Sequence, residues 1–151
     1  LADFDYQGRS DERAAAGRDG LVSVGDVGYL DEDGYLFLCD RKRDMVISGG
    51  VNIYPAEIEA VLIGMDGVRD CAVFGLPDDE YGERLMACVE LETQASISPS
   101  DVRSYLRQRL ASFKVPKDIR ILERLPREAS GKIFKRKLRT AFSSGPAHSF
   151  D

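Results

Sequence analysis

DRKRDMVISGGVNIYPAEIE, residues 40–59, is the stretch around which the rest of the chain is organised. A charged connector from Asp40 to Asp44 runs into a short apolar strand signal at Met45, Val46 and Ile47, and a Gly-Gly turn follows at Gly49 and Gly50. Pro55 then marks a helix start, because a missing N–H costs nothing at the first helical position, and Glu57 and Glu59 place negative charge where the helix dipole is positive. Twenty residues therefore read as strand, glycine loop and helix N-terminus. Glycine has no Cβ and tolerates positive φ, so such a loop can bring bare backbone against a ligand or a neighbouring domain. An isolated Gly-Gly also serves an ordinary strand-to-helix connection.

Upstream, GDVGYLDEDGYLFLCDR (25–41) holds two alternating runs, Val27–Leu30 and Tyr35–Cys39, around an Asp-Gly turn, which is a hairpin signal. Downstream, Ile58, Val61, Leu62 and Met65 fall on one helical face. Val68–Phe74 and Arg84–Glu92 read as strands joined by the turn GLPDDEYGE, the second with one face better buried than the other. Ser98, Pro99 and Asp101 signal a capped helix running to about Leu110, which Pro116 separates from a short strand, Ile119–Leu122. An amphipathic helix over 132–142, with Ile133, Leu138 and Phe142 inward, closes the pattern. The expectation is a compact α+β domain with a three-stranded sheet flanked by helices, preceded by a short β-hairpin.

Length and composition bound the function. The 151 residues suit one domain or a small domain with an attached tail, and 43% hydrophobic with 31% charged residues suits a globular chain with a core. No run of 18 apolar residues and no signal-peptide pattern is present, so a cytoplasmic location without a membrane span is expected. Cys39, Cys71 and Cys88 lack metal-ligand spacing, so no metal site is expected, and their odd number argues against a disulfide framework. A net charge of −5 disfavours a nucleic-acid partner. The segment from Arg120 to Arg139 is nevertheless locally basic, with only Glu123 and Glu128 against its lysines and arginines.

Within that basic segment, LPREASGKIFKRKLR (125–139) sets Lys132 directly after Ser130-Gly131. A lysine on a glycine loop has reach and freedom as a point charge for phosphate or carboxylate oxygens. The upstream glycine and strand of a Walker A loop are missing. A solvated basic helix end would also account for these residues.

Taken together, GDVGYLDEDGYLFLCDRKRDMVISGGVNIYPAEIE, GLPDDEYGE, ASFKVPK and LPREASGKIFKRKLR resemble, in order over about residues 21–140, the C-terminal domain of the acyl- and aryl-CoA synthetases. That group lies within the adenylate-forming superfamily, with firefly luciferase and the adenylation domains of peptide synthetases. The resemblance implies residues 1–42 as the tail of an N-terminal adenylation domain, 43–142 as a mobile C-terminal domain, and 143–151 as a flexible tail. A polar start on Leu1 fits a piece of a longer chain, whose N-terminal domain would be the main partner. The implied chemistry is formation of an acyl-adenylate from a small-molecule carboxylate and Mg-ATP, followed by transfer to the thiol of CoA.

Carried over by the resemblance, Lys132 corresponds to the catalytic lysine of adenylation and Arg43 to the hinge. Asp26 and Arg41 correspond to nucleotide-binding positions. Gly49 and Gly50 line the pantetheine path, and Phe113, Lys114 and Lys117 lie near the CoA nucleotide. ATP and Mg2+ would be held mainly by the N-terminal domain. Val24 and Val115 depart from the residues usual in relatives. Three readings stay open on the sequence: a CoA ligase, an adenylating domain that loads a carrier-protein pantetheine, and a non-catalytic module for an anionic partner. An apolar face left exposed would let copies pair as an oligomer.

Overall fold

The computed structural model describes residues 17–18, 21–23 and 25–143. The chain divides into two compact units between Arg43 and Asp44. In the first unit, β1 (Gly17–Arg18) pairs with β2 (Leu21–Val22), and β3 (Asp26–Leu30) pairs antiparallel with β4 (Leu36–Arg41). The hairpin expected from the Asp-Gly signal is present. Its turn is held by Asp31, whose Oδ1 accepts from the amides of Asp33 and Tyr35 at 3.1 and 2.8 Å, the local competition that makes aspartate a turn residue. The rings of Tyr29 and Phe37 stack across the ribbon, 5.2 Å between centroids.

The second unit holds the α+β fold. Its strands are β5 (Val46–Ser48), β6 (Val51–Ile53), β7 (Val68–Asp78), β8 (Gly82–Leu91) and β9 (Asp118–Leu122). Its helices are α1 (Pro55–Ile63), α2 (Pro99–Arg107) and α3 (Lys135–Ser143). The sheet has five strands, not the three expected. The strand read at Met45–Ile47 is present as β5 and joins the sheet, and β6 is the strand not expected, because Gly49 and Gly50 do not lead directly into the helix but fold the chain back on itself. Both have positive φ, +57° and +79°, the conformation a two-residue hairpin turn needs to match strand twist. Strand β8 is central: it pairs antiparallel with β7 along its length, parallel with β9 from Met86 to Glu90, and with β5 at Ser48 opposite Gly82. That single register pair is reinforced by Glu83, whose Oε2 accepts from the Ile47 amide at 2.8 Å.

Strands β7 and β8 are buried on both faces through their middle, so β8 does not show the one better-buried face expected for it. One face carries Cys71, Val73, Leu85, Ala87 and Val89 and packs against Ile58 and Leu62 of α1 and Val102 and Leu106 of α2. The other carries Ala72, Phe74, Met86 and Cys88 and packs against Leu125 and Leu138 of α3. A helix–sheet–helix sandwich results. Each fully buried Leu, Ile or Phe contributes about 1.5–3 kcal/mol relative to an exposed one.

Helix α2 starts as its sequence indicates. The Ser98 hydroxyl accepts from the Asp101 amide at 3.2 Å and the Asp101 carboxylate accepts from the Ser98 amide at 2.9 Å, a reciprocal box that satisfies two donors at the helix mouth. Val115 is extended, at φ −82° and ψ 121°, as a residue before proline must be. Helix α3 begins at Lys135 rather than at 132, because residues 125–134 close a loop of their own. No helix among the described residues is long and apolar enough to cross a membrane. Residues 1–16, 19–20, Val24 and the tail from 144 to 151 lie outside the described residues.

Candidate functional site

The loop carrying Lys132 is built from backbone bonds. The Gly131 amide donates to the Glu128 carbonyl at 2.9 Å, the Glu128 amide to the Lys132 carbonyl at 2.8 Å, and the Phe134 amide to the Pro126 carbonyl at 2.7 Å. Gly131 sits at φ +85°, which closes the turn with a glycine bulge and turns Lys132 outward. Leu125, 1% exposed, anchors the loop in the core below.

The side chain of Lys132 lines an open groove of about 520 Å³ together with Ala56, Glu59, Ala60 and Ile63 of α1, Asp70 and Cys71 of β7, and Arg127 and Lys135. Charge pairing within the groove is uneven. Lys135 Nζ lies 2.8 Å from Glu59, and Arg127 Nη2 lies 2.6 Å from Asp70. Glu59 also accepts from the Val73 amide, which fixes its carboxylate to the sheet. Among the described residues, Lys132 has no ion-pair partner. The groove thus has one surplus cation, exposed and on a defined loop, positioned to meet an anion from outside.

A second cluster forms where the hairpin tip meets the β7–β8 turn. Asp78 accepts from the amides of Glu80 and Tyr81, at 3.2 and 2.9 Å, and these bonds hold its carboxyl below the usual range. The turn they fix presents Tyr81, whose phenol is pushed up by its hydrogen bond to Glu80. The Gly49 amide donates to the Tyr81 carbonyl at 2.9 Å, and Lys117 Nζ lies over the Tyr81 ring, 4.0 Å from its centroid. Gly49 and Lys117, 68 positions apart in sequence (117 minus 49), are thereby joined through a tyrosine that sequence reasoning passed over. Gly50 has open space on its side-chain-facing surface.

Phe113, 52% exposed, and Lys114 lie on a short 3-10 turn, Ser112–Lys114. The Lys114 ammonium bonds both oxygens of Glu57 at 2.7 Å, so its charge is engaged within the domain. In the first unit, Asp26 and Arg41 stand in register across β3 and β4, with Arg41 Nε 3.6 Å from Asp26 Oδ1. Arg43 is the last residue of that unit. Among the described residues no group of three His, Cys, Asp or Glu side chains could hold a metal ion.

Sequence reasoning also passed over the carboxylates beneath the Lys132 loop. Glu90, 4% exposed, accepts from the Leu125 amide at 2.8 Å, and Asp70 stands directly opposite it on β7. The available signal was two acids at inward positions of apolar strands, since such charges are seldom buried without partners.

Residues 57–132 match the family of AMP-binding enzyme C-terminal domains. Over 140 residues the chain is 42% identical to a long-chain-fatty-acid–CoA ligase of Mycobacterium tuberculosis, an alignment covering 93% of this chain and 28% of that protein. Over 138 residues it is 44% identical to a fatty acid–acyl-carrier-protein ligase of Streptomyces coeruleorubidus, covering 91% and 27%. Its fold matches that of ATP-bound MatB from Rhodopseudomonas palustris with a TM-score of 0.82 at 36% identity, over 90% of this chain and 27% of that one. The chain therefore spans less than a third of the length of these relatives.

Proposed function

This chain belongs to the AMP-binding enzyme C-terminal domain family, and we propose that it serves as the mobile C-terminal domain of a longer, cytoplasmic, ATP-dependent acid–CoA ligase. In the first step a carboxylate oxygen bonds to the α-phosphorus of ATP as the bond to pyrophosphate breaks. In the second, the sulfur of CoA bonds to the acyl carbon and AMP leaves with the former carboxylate oxygen, the thiol proton passing to solvent.

The observation that carries this reading is the ammonium of Lys132, which has no ion-pair partner among the described residues, in a groove whose other cations are paired. An ammonium on a rigid loop can hold the carboxylate and α-phosphate oxygens together and offset charge as the five-coordinate phosphorus forms. Arg43, at the boundary between the two units, is proposed as the hinge about which the domain turns between the steps. Asp26 and Arg41 are proposed to contact the nucleotide, and the Gly49, Gly50 and Lys117 cluster, with Phe113 and Lys114, to receive the pantetheine and nucleotide of CoA. ATP and the magnesium that accompanies it are proposed to be held mainly by the N-terminal domain of the longer enzyme.

The test is Lys132→Ala in the full-length enzyme. Acid-dependent ATP–pyrophosphate exchange is expected to fall by at least about 100-fold, while thioester formation from supplied acyl-adenylate stays within about two-fold of the parent. Undiminished exchange would overturn the assignment. The similarity to a carrier-protein ligase supports a second acceptor, a carrier-bound pantetheine. Turnover with CoA against turnover with a holo carrier protein separates the two.

A further inference from the structure

We propose that Arg127 is a positioning residue for Lys132, holding the lysine's peptide in place by bridging it to a pair of carboxylates on the central sheet. The proposal rests on the reading of Lys132 given above.

Asp70 and Glu90 are directly opposite each other on β7 and β8. Like charges in that relation repel. Both side chains are reached by the same guanidinium: Arg127 Nη2 lies 2.6 Å from Asp70 Oδ2 and 4.0 Å from Glu90 Oε2, and Arg69 Nε stands 3.4 Å from the other oxygen of Glu90. The second arm of the Arg127 fork, Nη1, donates to the Gly131 carbonyl at 3.1 Å. That carbonyl belongs to the peptide bond whose nitrogen is Lys132's own.

One planar group therefore links the tip of the loop to the two longest strands of the sheet. The remaining hydrogen bonds around the tip, from Glu128, Gly131 and Phe134, are internal to the loop. They give it shape, while Leu125 and Ile133 pack its two ends on the core and leave the tip between them to be placed by links to the sheet. Among the described residues, the links from loop to sheet by hydrogen bond are this one and the Leu125–Glu90 bond at the loop's base. A guanidinium suits the task because its donors are set in a rigid fork, whereas an ammonium on the same stem could satisfy the carboxylates or the carbonyl but not both in fixed geometry. Arg127 touches no reacting atom in this account. Its effect is on where Lys132 stands, and displacement of a catalytic group by about 1 Å costs on the order of 100-fold in rate.

The experiment uses the full-length enzyme and the two half-reactions. Arg127→Ala is expected to lower kcat of acid-dependent ATP–pyrophosphate exchange by about 10- to 100-fold with the KM for ATP within about three-fold, leaving the thioester step from supplied acyl-adenylate within about two-fold. Arg127→Lys should recover part of that loss. Asp70→Asn, which preserves shape should Arg127→Ala fail to fold, should lower the same half-reaction and add little to Arg127→Ala in the double variant. Four results would overturn the proposal: exchange unchanged in Arg127→Ala and Asp70→Asn, equal loss in both half-reactions, a rise in KM with kcat intact, or full additivity of the two substitutions. Lys132→Ala is run beside them. If that variant retains exchange, the underlying reading of Lys132 fails instead, so the two failures are distinguishable.

Discussion

A Cβ placed on Gly49 would stand 3.2 Å from Cδ1 of Tyr81, while the Gly49 amide already donates to the Tyr81 carbonyl at 2.9 Å. The hairpin tip and the β7–β8 turn are thus fitted against each other at a position where only glycine is unstrained. Gly50 shares the positive φ but faces open space. Gly50→Ala should therefore cost about 1–2 kcal/mol from left-handed backbone alone, and Gly49→Ala should cost more because the ring must also move. Urea denaturation of the two variants checks the order; equal losses would show that the Tyr81 contact yields freely.

Ser98→Ala removes the cap of α2 and should destabilise the domain by about 1 kcal/mol. A pH signature accompanies the change. Hydrogen bonds from the Ser98 hydroxyl and then its backbone amide hold the Asp101 carboxyl below its ordinary value of 3.8. A carboxyl depressed in the folded state adds stability above its unfolded pKa, and loses it as pH falls through the folded value. The parent should lose this contribution on acidification below about pH 4, and Ser98→Ala should show a shallower acid slope. Denaturation midpoints across pH 2.5 to 6, read against about that window, test the sign.

The three cysteines should separate by reactivity. Burial pushes the thiols of both Cys71 and Cys88 up to about 12, whereas Cys39 is only partly buried. Since the thiolate is the reacting form, iodoacetamide at neutral to mildly alkaline pH should label Cys39 first and reach the other two only on unfolding. Peptide mapping after brief exposure decides it, and early labelling at Cys71 would show that the groove beside Lys132 opens.

Glu90 offers a contrast between two substitutions. Glu90→Leu leaves the Leu125 amide without its acceptor, a loss of about 1–3 kcal/mol for a buried donor, whereas Glu90→Gln keeps a carbonyl oxygen in nearly the same place. Thermal melting should therefore rank the parent above Gln and Gln above Leu. A Leu variant as stable as the Gln variant would mean that the Leu125 amide finds another partner.

The sequence alone determined whatever depends on neighbours within a few positions. The capped start of α2, the Asp-Gly hairpin of β3 and β4, the extended Val115 before proline and the outward lysine after Ser130-Gly131 are all local chemistry, and all were legible. So were the apolar stripes of α1 and the alternation in β7. The five-strand count was not, because whether Gly49 and Gly50 continue to a helix or reverse the chain is settled by β8, which offers Gly82 and the Glu83 carboxylate to receive β5. Nor was the double burial of β7 and β8, since a period of two cannot say whether the second face meets water or Leu138.

Only the tertiary structure decided which of the three cations lining the groove has no ion-pair partner among the described residues. Lys132, Lys135 and Arg127 look alike along the chain. Glu59 and Asp70, brought from 76 and 57 positions away (135 minus 59, 127 minus 70), take up two of them and leave the third. An ion pair forms by distance in space, and composition carries no record of that distance.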